Sequence, residues 1–299
     1  MNSDKFVGCK MSYSTRFFTP EDFPKLHAAF LEAFADYSLN ILMSREQFAV
    51  RFRDKLGLQE TYSPGVFYQG RLVAFIFSAV AEYQGSLTAY NGGTGVIPEH
   101  RGQKLVDAMY DLMLPKLEAD GVERCVLEVL TDNPKALRAY QRVGFEKGDF
   151  LRCFKLQELP TKYERTLENV DIHTKASPNW ELYSQWSAAQ ATFQDQWSRL
   201  PGNPHEEILE ATWQGQTAGV AVYQPHIGRI SALAVAPECR GEGIGAALVD
   251  EMVKRAAQPN LTVINVREEA EGLRSFFARL NFANQINQYE MVYQLPGNR

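Results

Sequence analysis

The sequence predicts a mixed α/β fold (an α+β mixed sheet with flanking helices), built twice. Three observations predict it. Residues 237–248 read Pro-Glu-Cys-Arg-Gly-Glu-Gly-Ile-Gly-Ala-Ala-Leu and follow the apolar run 230–236, so a strand, a glycine-rich turn and a helix start stand in one stretch. The same pattern recurs upstream as 98–106, after Gly92-Gly-Thr-Gly-Val-Ile97. Finally, 299 residues suffice for two domains of ordinary size, each with its own core.

The repeat keeps its order. Pro98 and Pro237 match, as do Arg101 and Arg240, each pair about 140 residues apart. Tyr140-Gln-Arg-Val-Gly-Phe145 matches Phe277-Ala-Arg-Leu-Asn-Phe282, and the stretch 66–75 matches 209–219. Both of the latter read as strand, tight Gly turn, strand. Leu159–Glu164 is polar with one Pro and is the expected joint, giving domains 11–158 and 159–299. Residues 1–10 read as a loose tail, with Met11 as a natural start.

In the first half, Thr19–Tyr37 reads as a helix, capped by Thr19, started by Pro20 and lined on one side by Phe23, Leu26, Phe30, Leu31 and Phe34. Ser44–Leu56 is a second helix. A hairpin about Gly70 and a strand into 92–97 come next. A helix over 102–119 follows, with Leu105, Met109, Leu112, Met113 and Leu117 on its apolar face, Pro115 as an expected kink and Gly121 as its stop. Arg124–Leu130 reads as a strand, Pro134–Val143 as a helix and Phe150–Leu156 as a last strand. The second half repeats the order: helix 178–197, strands about Gly215, strand 230–236, helix 244–256, strand 261–266, helix 270–280, strand 289–295.

Composition narrows the function classes. No apolar run reaches the length of a membrane span, and the polar first residues lack the apolar core of a signal peptide. Cys9, Cys125, Cys153 and Cys239 have no Cys-x-x-Cys spacing, so they read as free thiols of a cytoplasmic protein. The five histidines make no i, i+4 pair, so no metal site is expected. A net charge of −5 argues against nucleic acid as a partner.

The turn residues carry the chemistry. Backbone lacking Cβ at Gly241, Gly243 and Gly245 can aim several N–H groups at one point, and the helix that starts near Ile244 adds unpaired N–H groups and its dipole. The result is a socket for a phosphate or pyrophosphate.

These motifs resemble the GNAT acetyltransferase superfamily, in two tandem copies. The signature Arg/Gln-x-x-Gly-x-Gly/Ala stands complete as Arg240-Gly-Glu-Gly243-Ile-Gly245, and Asn-x-x-Ala with a later Tyr and Gly-Phe stands as Asn133, Ala136, Tyr140, Gly144 and Phe145. The resemblance implies that each half binds acetyl-CoA as cosubstrate. In the first half Gly95, Val96, Arg101, Gly102, Gln103, Lys104, Leu105, Val106 and Asn133 would hold it. In the second half Leu233, Val235, Arg240, Gly241, Glu242, Gly243, Ile244, Gly245 and Ala246 would. It also implies Tyr140 as general acid, because a phenol stays protonated at pH 7 and can protonate the leaving thiolate.

The copies depart from the pattern in complementary ways. Lys104 stands where the central Gly belongs and Val106 where the small residue belongs, although the ammonium can attract a diphosphate. In the second half the loop is intact, but Phe277 has no proton to give, Asn281 replaces the Gly and Ala270 the Asn. N–H groups of Gly95–Val96 are candidates to polarise the thioester carbonyl, and Glu82, Tyr83, Tyr90 and Glu128 are candidate bases. The leading expectation is an N-acetyltransferase acting on a small-molecule or peptide amine, monomeric or homodimeric. The alternative is a non-catalytic acyl-CoA-binding sensor or scaffold.

Overall fold

The computed structural model describes residues 12–36, 42–157, 170–257 and 260–297. The expected tail and joint lie outside these residues. By its contacts the chain forms two compact units. One holds residues up to 127, 138–146 and from 292 on; the other holds 128–137 and 147–291.

The first unit opens with strand β1 (Tyr13–Phe17), which the sequence reading missed because it is only five residues long. A 3-10 turn, Pro20–Asp22, leads into α1 (Phe23–Ala33). The expected helix is thus shorter at both ends. Asp22 fixes its start: the carboxylate accepts from the Thr19 N–H at 3.1 Å and from the Arg16 guanidinium at 2.6 and 3.0 Å. Ser44 caps α2 (Arg45–Ala49) through a reciprocal bond pair with Gln47, and the chain runs on as π-helix over Val50–Lys55.

Strands β2 (Pro64–Tyr68), β3 (Arg71–Tyr83) and β4 (Ser86–Val96) form an antiparallel meander. Its two turns, Gln69-Gly70 and Gln84-Gly85, carry positive φ at both residues, as two-residue hairpins require. Helix α3 (Leu105–Ala119) starts three residues later than expected, and Pro115 does not end it. Tyr110 joins its buried face, which the apolar count had left out. Strand β5 (Arg124–Leu130) pairs parallel to β4, and α4 (Pro134–Val143) follows. The order in this unit is β1-β2-β3-β4-β5. Phe30, Phe48, Phe52, Phe75 and Phe77 pack ring on ring at its core, with centroids 4.4–6.3 Å apart. Each such ring stabilises the fold by about 1.5–3 kcal/mol through burial.

The second unit takes in β6 (Glu146–Leu156) from residue 147 on. This strand was expected to close the first half; instead it pairs antiparallel with β11 (Thr262–Arg267) of the second unit. Before β11 come β7 (Val170–Thr174), α5 (Trp180–Gln185), β8 (Glu207–Trp213), β9 (Gln216–Gln224), β10 (Arg229–Val235) and α6 (Ile244–Arg255). After it come α7 (Glu271–Arg279) and β12 (Phe282–Gln294), longer than expected. The strand order in this unit is β12-β6-β11-β10-β9-β8-β7. Leu248, Val249 and Met252 of α6 pack with Leu209, Ala221, Phe154 and Phe277 in its core.

The helix expected over 178–197 is the main departure. Only α5 forms, and the remainder is irregular with 3-10 turns at Phe193–Asp195 and Trp197–Arg199. Polar demands explain the break. The Trp186 carbonyl accepts from Arg240 at 2.9 Å rather than continuing the helix, and Asp195 pairs with Arg229 at 2.6 Å.

Candidate active sites

In both units the loop after the central strand is built the same way. β4 ends at Val96, and a 3-10 turn Pro98–His100 carries the chain into residues 101–104. Arg101 braces this loop from within: Nε donates to the Val96 carbonyl at 3.1 Å, and the Nη atoms donate to the Ala33 carbonyl at 2.9 Å and to Asp36 at 2.6 and 2.8 Å. His100 anchors it further, with Nδ1 3.1 Å from the Tyr13 hydroxyl and the ring against Tyr68. In the second unit Arg240 Nε bonds the Val235 carbonyl at 3.2 Å and Nη2 the Trp186 carbonyl. Both arginines therefore position the loop, with their guanidinium groups engaged by the protein itself.

Each helix begins after a left-handed residue. Lys104 has φ 56, ψ 32, while Gly243 has φ 94, ψ 0. Lysine tolerates the first at modest cost; the second favours glycine. The first intrahelical bonds are Ala108 N–H to the Lys104 carbonyl and Ala247 N–H to the Gly243 carbonyl. The N–H groups of Gly102–Val106 and of Gly241–Ala246 find no backbone acceptor among the described residues, the condition under which a helix start can receive an anion. Gly245 has a second role: a Cβ there would lie 3.1 Å from the Phe276 ring.

The charges around the sockets differ. Lys104 is exposed in the first. Asp107, in the first turn of α3, is held below the usual carboxylate range by Arg142, which bonds both its oxygens at 2.6 Å. In the second loop, burial together with Glu238 and Glu242 pushes the Cys239 thiol up, so two carboxylates stand close to that socket.

Beside each socket the parallel strands part. β4 pairs with β5 only over Thr88–Asn91, and β10 pairs with β11 only at Arg229 and Ile230. The Ile97 N–H bonds Val73, so alternation along β4 directs the Gly95 N–H to β3 and the Thr94 and Val96 N–H groups to the side β5 has left. In the second unit the Ala236 N–H bonds Ala218, which turns the Leu233 and Val235 N–H groups to the vacated side. Of the expected carbonyl-polarising pair, the Val96 N–H is thus turned to the open side and the Gly95 N–H is not. Gly95 is required for packing, because a Cβ would lie 2.3 Å from the Phe75 ring. Thr94 is the residue the sequence reading missed; its parity with Val96 was the available signal.

Tyr140 lies half-buried on α4, edge-on to Phe145 at 5.9 Å. Phe277 is 1% exposed, stacked on Phe154, edge-on to Phe276 and tilted against Phe282. Asn133 caps α4, its Oδ1 accepting the Ala136 N–H at 3.1 Å. Among the candidate bases, Glu82 and Tyr83 pair with Leu87 and Ser86, at the far end of the β3–β4 hairpin. That places them about 30 Å from Val96, too far to serve a reaction at the loop end. Tyr90 is buried beside Gly92, and Glu128 is half-buried in β5.

Where β10 and β11 part, the second unit holds a cleft of about 80 Å³, lined by Thr192, Ser231, Leu233, Asn265, Leu273 and Phe277 among others. The Thr192 hydroxyl is buried there without a hydrogen-bond partner among the described residues. One wall is the irregular 187–197 segment, which the helical reading of 178–197 had hidden.

A braced loop, a helix N-terminus and a parted parallel strand pair, present twice, define an acyltransferase of the GNAT type. An acetyltransferase (GNAT) family model matches residues 24–145 and an acetyltransferase (GNAT) domain model matches 175–292, together well over half of the sequence. The chain belongs to the GNAT superfamily, as a tandem member. Solved structures agree on the fold. The GCN5-related N-acetyltransferase from Sphaerobacter thermophilus superposes with a TM-score of 0.70 at 16% identity, over 96% of this chain and 97% of that one. A tandem GNAT protein from the clavulanic acid biosynthesis pathway gives 0.69 at 13% identity, over 96% of this chain and 100% of the other. Among the described residues no helix is long and apolar enough to cross a membrane, and no cluster of three or more His, Cys, Asp or Glu stands ready for a metal.

Proposed function

We propose that this protein is an acetyl-CoA-dependent N-acetyltransferase, with transfer in the first unit and acetyl-CoA binding in both. The observation that carries the reading is the run of N–H groups without backbone acceptors at 102–106 and 241–246, at helix starts beside strands that part. Such a site suits the diphosphate of CoA, and the open strand edge to which the N–H groups of Thr94 and Val96, or of Leu233 and Val235, are turned suits its pantetheine arm and thioester. A neutral primary amine attacks the thioester carbonyl; a C–N bond forms, the C–S bond breaks, the CoA thiolate takes a proton, and the nitrogen releases one to solvent, from which the acid is reprotonated. In the first unit Tyr140 is that acid, and the Val96 N–H stabilises the developing oxyanion.

The second unit binds without efficient transfer. Phe277 occupies the place of the acid and is part of the core. Release of CoA from acetyl-CoA over a panel of polyamines, aminoglycosides, amino acids and peptide N-termini tests the whole reading. Acceptor-dependent release supports it. Tight binding of acetyl-CoA with no release over the panel would leave the protein an acyl-CoA-binding module.

A further inference from the structure

In the first unit one buried amide stands where the strands part. Asn91 is the last β4 residue paired with β5, opposite Leu127. The β3–β4 register shifts here, with Ser78 opposite Asn91 and Phe77 opposite Gly93, so Gly92 is the extra residue of a bulge. The Asn91 side chain closes that bulge: Oδ1 accepts the Gly93 N–H at 3.0 Å, and Nδ2 donates to Thr94 Oγ1 at 2.7 Å and to Tyr110 Oη at 2.8 Å. Asn91 is 6% exposed and Tyr110 1%.

The amide can sit only this way round. Gly93 N–H is solely a donor, so the oxygen must face it, and both amide hydrogens then point at hydroxyls. Tyr110 Oη is an acceptor here, so its own proton is directed elsewhere. Burial holds this phenol well above its ordinary pKa, and the neighbouring ionisable groups Tyr140 and Cys125 add to the effect. The Tyr110 and Tyr140 rings meet the same Phe145, at 5.2 and 5.9 Å. Tyr110 also lies five residues into α3, about 7.5 Å along the helix from the turn that forms the anion socket.

We infer that Asn91 and Tyr110 are positioning residues for acyl transfer in the first unit. They hold β4 bulged so that the Thr94 and Val96 N–H groups face the thioester, and they present a neutral, fixed hydroxyl beside Tyr140. The inference rests on the transferase reading above. Neither residue touches the reacting atoms in this scheme; each acts through the strand or through Tyr140.

The test uses the full chain. Tyr110→Phe removes one oxygen and keeps the ring on Phe145. Asn91→Asp keeps an acceptor for Gly93 but draws the Tyr110 proton toward β4. Both are expected to lower kcat about 10- to 100-fold, the scale on which a misplaced reacting group acts. The KM for acetyl-CoA should stay within about twofold, since the diphosphate socket is untouched. Hydrogen exchange gives an activity-independent arm: Asn91→Ala should raise exchange over 91–96 and leave the 74–78 partner residues of β3 protected. Unchanged kcat in Tyr110→Phe, or unchanged exchange in Asn91→Ala, overturns the inference. If the wild-type protein transfers to no amine, the transferase reading fails by itself, and exchange at Gly93–Val96 alone then decides whether Asn91 holds the strand.

Discussion

Tyr140 and Phe277 occupy matching places in the two copies and differ by one oxygen atom. Their surroundings differ more. Tyr140 is half-buried with its ring on Phe145, whereas Phe277 is buried against Phe154, Phe276 and Phe282 at the wall of the cleft. Tyr140→Phe should therefore lower kcat by about 10²–10⁴-fold with little change in acetyl-CoA affinity, because the hydroxyl serves the departing thiolate and not the bound ground state. Steady-state kinetics with an accepted amine measures this, and normal turnover would reduce Tyr140 to a packing residue. The reciprocal change, Phe277→Tyr, buries a hydroxyl among aromatic rings. A buried hydroxyl without a partner costs about 1–3 kcal/mol. The variant should melt several degrees lower and gain no transfer in a Tyr140→Phe background. Gained transfer at unchanged melting would instead reveal a dormant site in the second unit.

At the scale of elements, the two loops share a skeleton and differ in how a ligand would be held. Gly243 at φ 94 cannot take a β-branched side chain without strain, while Lys104 at φ 56 already carries a side chain in solvent. Calorimetric titration of the intact protein with CoA should find two sites. Gly243→Val should remove the second-unit site. Lys104→Glu should weaken the first several-fold, with the loss shrinking at high salt as screening would require. A single site in the wild-type protein, or two in Gly243→Val, would contradict this account. Much at this scale was legible in the sequence: β5 and α4 fall on their expected residues, and both glycine turns lie between strand and helix. What was not legible came from long-range polar partners. Nothing near Trp186 announces that its carbonyl will be taken by Arg240, which ends α5 early. Tyr110 reads as an ordinary aromatic until its bond to Asn91 is seen. Asn133 resembled a ligand contact, yet its place before Pro134 was also a plain capping signal.

For the whole molecule, the repeat in the sequence and the compact units do not coincide strand for strand. Local pattern identifies a strand but not its neighbours, since hydrogen-bond partners come from distant residues. In the second unit β6 supplies partners to β11 from Lys155↔Thr262 to Leu151↔Arg267, and Leu151, Phe154 and Leu156 are buried. The first unit in turn includes the chain from 292 on: Leu295 N–H bonds the Glu123 carbonyl at 2.9 Å, and Tyr293 packs on Phe145 at 5.6 Å. A fragment 159–299 would therefore leave β11 without that partner and its apolar neighbours in water. A fragment 11–158 would expose Leu151, Phe154 and Leu156 and strip Tyr293 from Phe145. Losing several large buried side chains at about 1.5–3 kcal/mol each is comparable to the 5–15 kcal/mol that usually holds a domain folded. Both fragments should aggregate or stay unfolded when made alone. The two expressed together should recover soluble, acetyl-CoA-binding protein, because every strand then has its partner again. Size-exclusion chromatography and amide dispersion in a proton–nitrogen correlation spectrum check this. A monomeric, well-dispersed 159–299 fragment would show that β6 is dispensable to the second unit.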